Sequence, residues 1–271
     1  MNKGINMFTR RKFILATSGA FIFPALPNQA LASQAVFKND QVSRDIQQAL
    51  LTHFKDGKLS ASLTAHIIDV GLDWQLPEIE VSKIDCIVAY AFGNRPNKES
   101  AGGSAGSSEN LVGLPDPGPT NEALADTVYQ IYKLKPVPIY AQWEIARFLT
   151  SKYKLDKELF SVEPVKNSDG TITYLSTDGV AKAIVDKEGS AEKLGNVAVV
   201  AHQDHAKRCI QTSNSIGLRS FAVKEVALPT QYDELSGQPW TRDRETYLLH
   251  DMFVQMRNLR DKRIKALYPQ D

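Results

Sequence analysis

A run of small and β-branched apolar residues, Val197-Ala198-Val199-Val200-Ala201, breaks off abruptly into His202, Asp204, His205 and Arg208, and a helical pattern follows at once. A run so short and so continuously apolar reads as a strand buried on both faces, the mark of a parallel sheet covered by helices. Residues 84–92, 137–141 and 219–223 repeat the pattern, and stretches of helical periodicity separate them. Strands alternating with helices predict an α/β fold with a Rossmann-like, doubly wound, mainly parallel sheet. Ligands bind such sheets beyond the carboxyl ends of the strands, so the polar residues after Ala201 fall where a site is expected.

The first 32 residues read as a leader, outside the fold. Thr9-Arg10-Arg11-Lys12-Phe13 gives a charged start, a moderately apolar core follows, and Ala30-Leu31-Ala32 offers a small-x-small cleavage site. The paired arginines and a core diluted by Thr17, Ser18, Gly19 and Ala20 resemble a twin-arginine (Tat) signal. That implies a passing encounter with the Tat translocon and a periplasmic mature protein. The core is shorter than the ~20 residues a membrane span needs, so no stable span is expected in the mature form. Removing the leader takes away four of the 32 basic residues and none of the 31 acids, so 28 oppose 31 and the net charge falls from +1 to −3. A slightly acidic average gives no electrostatic footprint for nucleic acid or anionic lipid.

Residues 33–80 are expected to form an N-terminal helical segment, with helices over 40–55 and 59–70, and residues 81–271 one α/β domain. Asp40 is the expected N-cap of the first helix. Further helices are expected over 120–134, 143–153, 177–193, 204–216 and 242–266. Asp169-Gly170 marks the turn of a hairpin between residues 162–165 and 171–175. Cys86 falls in an apolar strand and Cys209 on a helix, so two separate buried thiols are expected.

His202-x-x-His205 at a strand-to-helix turn admits four readings. As a metal site it lacks the His-Glu-x-x-His spacing and a third ligand, so no metal is expected. As an acid/base site it relies on His205, whose ordinary titration lies near neutrality. As an anion site it combines a helix N-terminus with Arg208 one turn in. As a structural feature, His205 caps the helix and Arg208 pairs with an acid of the closing helix. The anion reading ranks first. Glu144, which opens a helix directly after the 137–141 strand, joins His205 and Arg208 as a catalytic candidate, though a carboxylate there also suits the helix dipole. Gly93, Asn94, Thr177, His202, Asp204, Arg244 and Glu245 are the candidates for ligand binding. The implied partner is a small anionic molecule; no cofactor is specified. Neither Gly-x-Gly-x-x-Gly nor Gly-x-Ser-x-Gly occurs where those motifs would be needed.

Five segments together resemble the YdcF-like family, the domain of unknown function 218 that includes the SanA and ElyC envelope proteins. They are Ala91-Phe92-Gly93-Asn94, Trp143-Glu144-Ile145-Ala146, Ser176-Thr177-Asp178-Gly179, His202-x-x-His205-x-x-Arg208 and Arg244-Glu245. The resemblance covers roughly residues 84–257, and the His-x-x-Arg segment is its most specific part. It implies a Rossmann-like fold and an envelope role, with S-adenosylmethionine binding suggested for one member. The chain departs from the family pattern in four places. The usual Ser before the His-x-x-Arg motif is missing, Asp178-Gly179 stands where Glu-Asn is common, Thr120-Asn121-Glu122 opens the helix after the Gly loop where an Arg is common, and the hairpin is inserted. The expected function is therefore binding of an anionic small molecule or envelope precursor at the strand-end site. The alternative is a non-catalytic envelope maintenance factor whose site is vestigial.

Overall fold

The computed structural model describes residues 40–97, 113–169 and 171–269. The leader with its twin-arginine pair, most of the Gly/Ser-rich loop and Gly170 lie outside the described residues, as does whatever precedes Asp40 at the start of the first helix. In chain order the strands are β1 (Glu78–Ile79), β2 (Cys86–Ala89), β3 (Ile139–Gln142), β4 (Leu159–Val162), β5 (Val165–Lys166), β6 (Ile172–Thr173), β7 (Asn196–Val200) and β8 (Arg219–Val223). The helices are α1 (Asp40–Phe54), α2 (Gly57–Gly71), α3 (Pro119–Leu134), α4 (Trp143–Tyr153), α5 (Thr177–Glu188), α6 (Gln203–Ser215) and α7 (Arg244–Leu267).

Six strands form one sheet in the order β1-β8-β7-β2-β3-β4, and every neighbouring pair is parallel. The fold is α/β and doubly wound, with a Rossmann-like course. From β2 the chain passes through α3 to β3 and through α4 to β4. It then returns by α5 to β7, on the other side of β2, and continues through α6 to β8. The direction of winding therefore reverses between β2 and β7, where Val88 pairs with Val199 and Ala89 with Val200. The crevice at such a reversal is where open α/β sheets hold ligands. Both strands are buried along their paired lengths, as expected for a sheet with helices on both faces.

Local chemistry sets the element ends. Ser176 caps α5 by accepting from the Gly179 N–H, and Gly189, at φ +86°, ends it in the left-handed conformation. That stop shortens the expected 177–193 helix, and a single 3₁₀ turn over Glu192–Leu194 follows. Asp243 caps α7 in the same way as Ser176 caps α5, accepting from Thr246.

Two strands depart from the sequence reading. β1 lies inside the segment expected to be only helical and pairs with β8 at the sheet edge. β4 lies just before the hairpin and extends the sheet beyond β3. Both are edge strands of two to four residues, too short for a periodic signal to separate them from loop. The hairpin itself forms, with Val165 opposite Thr173 and Lys166 opposite Ile172.

The α1–α2 pair packs against α7 through α2 and is tied to α6 by one buried cation. Lys207 on α6 donates to the Asp69 and Asp73 carbonyls at the end of α2, pairs with the Asp69 carboxylate at 3.0 Å, and lies over Trp74. A cation is favourable at a helix C-terminus, where carbonyls lack intrahelical partners. Cys86 and Cys209 are both buried and unpaired.

Candidate functional site

A cleft of about 300 Å³ opens beyond the carboxyl ends of β2 and β3, against α6 and α7. Its floor is Ala91, Phe92 and Gly93. Its sides carry Gln142 and Glu144, then Tyr174 to Thr177, then His205 and Arg208, and the closing helix adds Tyr247, His250 and Arg257. A wider depression of about 620 Å³ lies at the opposite edge, at the starts of β3 and β4. Its charged residues alternate in sign (Lys157, Glu158, Lys187, Glu188), and it lies at the end of the sheet where ligands are not expected.

The strand-end turn is tightly held. Asn121, fully buried on α3, accepts from the Phe92 N–H and donates to the carbonyls of Gly93 and Pro117. Gln142 accepts from the Ala91 N–H at 3.0 Å. Gly93 sits at φ +68°, and a Cβ there would lie 2.7 Å from Thr241 Oγ1 and 2.8 Å from Ser236 Oγ. Only glycine fits that position. Asn94 contributes its carbonyl to Gly237 and Ser236 and is not part of the cleft wall.

Arg208 is nearly buried, and its donors are directed at protein groups. Nε meets Asp251 on α7, one terminal nitrogen reaches Tyr247 Oη at 3.2 Å, and the other lies 3.4 Å from Thr177 Oγ1. Asp251 is completed by Tyr247 Oη at 3.1 Å and Gln255 Nε2 at 2.7 Å. Burial opposes both charges, yet each outlasts it. Tyr247 and Asp251 hold the guanidinium above its ordinary pKa, while His205 and Arg208 hold Asp251 well below the carboxylate range.

The histidines take different roles from those the spacing suggested. His202 is the residue that caps α6, through Nδ1 and the Asp204 N–H at 3.3 Å. It stacks on Phe92 at 4.1 Å, and its Nε2 faces the Thr230–Gln231 backbone without a well-formed hydrogen bond. It is enclosed and does not line the cleft. His205 does line it, with Nδ1 3.7 Å from Asp251 Oδ1, beyond hydrogen-bond length. Its titration is not near neutrality: burial, aided by Arg208, pushes it down to about 4, so it is neutral at pH 7. Burial likewise lowers His202 to about 4.

Asp204 and Arg244, both candidates for ligand binding, engage each other. Arg244 clasps the carboxylate at 3.0 and 3.1 Å, and Tyr232 Oη donates to it at 2.8 Å. Glu245 is exposed in the first turn of α7 and is absent from the cleft wall. The structure therefore gathers Gly93, Glu144, Thr177, His205 and Arg208 and leaves Asn94, His202, Asp204, Arg244 and Glu245 outside. Among the described residues no group of His, Cys, Asp and Glu is arranged to hold a metal ion.

Glu144 is an incompletely satisfied carboxyl in the cleft, and His205 is likewise unsatisfied at Nδ1. It is buried at the first turn of α4, and its Oε2 has no hydrogen-bond partner. Desolvation dominates and pushes its pKa up to about 8. Beside it, Tyr174 Oη and Trp143 Nε1 are also buried without partners. Unpaired buried polar groups are costly in a folded chain, and clusters of them call for a ligand or water to complete them. With Glu144 in its acid form, the group can donate a hydrogen bond or a proton.

Tyr174, Trp240, Tyr247, His250, Asp251 and Arg257 also belong to the site or its supports, and the sequence reading did not single them out. The spacing Tyr247, Asp251, Gln255 carried the available signal: polar side chains four residues apart on one face of the closing helix. The chain matches no family model, no curated protein and no solved structure.

Proposed function

We propose that the chain binds a small anionic molecule in this cleft and uses Glu144 as the acid that donates to it. The observation that carries the reading is the enclosed Glu144 carboxyl, unpartnered at Oε2 and facing a cleft at the winding reversal of the sheet. A protonated carboxyl donates to an anion, whereas an ionised one repels it. Arg257 adds a cation at the rim with no ion-pair partner among the described residues, and Arg208 adds a neutralised but polar wall. This reading centres the site on Glu144 rather than on His205.

The YdcF-like reading stands on the same footing. Four of the five segments that carry the resemblance reach the cleft wall through Gly93, Glu144, Thr177 and Arg208, which supports a family member with an envelope role. With the leader read from Arg10-Arg11 and cleavage after Ala32, the site works in the periplasm. Fractionation of cells producing the chain with and without Arg10→Lys and Arg11→Lys tests that part.

Calorimetric titration with phosphate- and carboxylate-bearing metabolites and their neutral analogues tests the site. The anions bind below pH 8 and weaken above it as Glu144 ionises. Glu144→Gln, which keeps a donor without a titrating proton, removes that pH dependence, and Arg257→Gln weakens binding throughout. Equal affinity for the neutral analogues sinks the reading.

A second reading, a non-catalytic envelope factor, draws on Arg208, whose donors are already engaged by Asp251, Tyr247 and Thr177. It requires that a folded Glu144→Gln chain still complements a deletion strain.

A further inference from the structure

The closing helix α7 is built inside out. Its buried residues are Tyr247, Asp251 and Gln255, all polar or amphipathic. Leu248, Met252, Val254 and Leu259 are half-buried, while five of its apolar residues, Leu249, Phe253, Met256, Ile264 and Leu267, face solvent, Leu249 at 60% and Phe253 at 67% exposure. At 3.6 residues per turn these five fall within an arc of about 80°, on the side of the helix opposite the buried residues. Scattered exposed apolar residues are normal, but a stripe along one helix, broken only at Arg260, marks an interaction surface.

The charges beside the stripe indicate its partner. Arg257 and Arg263 border it on either side and Arg260 stands within it; exposed Glu245 borders its first turn, and from residue 253 to 268 Asp261, paired with Arg260, is the one acid against five cations. The slightly acidic average of the chain conceals this basic segment. An apolar face edged by long cationic side chains is the pattern of a helix lying in a lipid interface, with guanidinium groups reaching anionic headgroups. A second copy of the chain is a poorer occupant. A two-fold contact would set one arginine-bearing stripe against another.

We propose that the exposed face of α7 is a docking surface for an anionic phospholipid membrane. Leu249, Phe253, Met256, Ile264 and Leu267 enter the interface, and Arg257, Arg260 and Arg263 engage the phosphates. Arg257 belongs to both the stripe border and the cleft rim, so docking brings the cleft mouth to headgroup level. This is peripheral attachment: no helix among the described residues is long and apolar enough to cross a membrane.

A local probe separates this face from any contribution of the leader. In the full chain, Phe253→Trp gives a blue-shifted emission, quenched by brominated lipid, on phosphatidylglycerol vesicles and not on pure phosphatidylcholine. Leu134→Trp, on an exposed site at the end of α3, serves as the reference and stays unquenched. Arg260→Gln and Arg263→Gln in the Phe253→Trp chain each lower the vesicle affinity about fivefold, and added salt does the same. No change at position 253, or the same change on both vesicle types, overturns the proposal. So does a dimer in light scattering that Leu249→Ser and Met256→Ser disperse, because a second copy then covers the face.

Discussion

Arg208 and Asp251 form a buried ion pair that ties α6 to α7 beside the cleft, with Tyr247 and Gln255 completing the carboxylate. Taking one partner away leaves the other charge uncompensated in a low-dielectric setting, which costs about 3–5 kcal/mol. Asp251→Ala is therefore expected to destabilise the chain by that amount in urea unfolding. The double variant Arg208→Met, Asp251→Leu, which buries no charge, recovers most of the loss.

Stability is expected to peak near pH 6.5. His202 and His205 titrate near 4 when folded and near 6.5 when unfolded. Between those values the unfolded chain binds more protons, so stability rises with pH. Glu144 has the opposite sign: folded near 8 and unfolded near 4.5, it keeps its proton only in the folded chain, so its contribution is lost as pH rises through 8. His250, also lowered by burial, adds to the histidine side. Together the histidines outweigh Glu144 up to about 6.5, above which Glu144 brings stability down, joined towards pH 9 by Cys86 and Cys209, whose thiols burial holds above their ordinary range. Thermal unfolding from pH 5 to 9 shows the maximum. Glu144→Gln removes the fall between pH 6.5 and 8, on the order of 1 kcal/mol per pH unit.

Lys207 makes the only side-chain hydrogen bonds described between α6 and the end of α2. Lys207→Met leaves the Asp69 and Asp73 carbonyls without their cation, at a cost of about 1.5–3 kcal/mol. Because α1 and α2 lie at the periphery, the loss is expected to be local. Limited proteolysis should cut within residues 40–71 while the sheet domain survives; equal cleavage of the two chains counts against the clamp.

Gly93→Ala is expected to destabilise by about 1–3 kcal/mol, since it combines a positive φ with a Cβ driven into Thr241 and Ser236. Pairing it with Thr241→Ser does not restore stability, because the nearest clash is with the hydroxyl oxygen that serine keeps. Full recovery in that double variant, measured by urea unfolding, contradicts the account.

Much of the fold was legible because buried parallel strands carry continuous apolar runs. Residues 197–201 announced β7, and the strand–helix alternation announced the doubly wound sheet. Edge strands β1 and β4 were not legible, since two to four half-exposed residues carry no periodicity. Glu144 was legible as a candidate by position alone, at a helix start after a strand. Its enclosure and its unpaired Oε2 were not, because desolvation depends on what other segments pack around it.

Local periodicity and capping fixed the helices and the central strands, and the end of the sheet at which polar residues gather, but not the edge strands β1 and β4. The sequence by itself also named His202, Asp204, His205 and Arg208 together. Only the tertiary structure divided them, making His202 a helix cap, giving Asp204 to Arg244 and Arg208 to Asp251, and leaving His205 and Glu144 at the cleft. It likewise decided which face of α7 is inside: apolar periodicity alone turns Leu249 and Phe253 towards the core, but Asp251 is the carboxylate that buried Arg208 requires. The partners of a charge are fixed by neighbours distant in the chain, and that pairing, absent from any local pattern, sets the orientation of the helix.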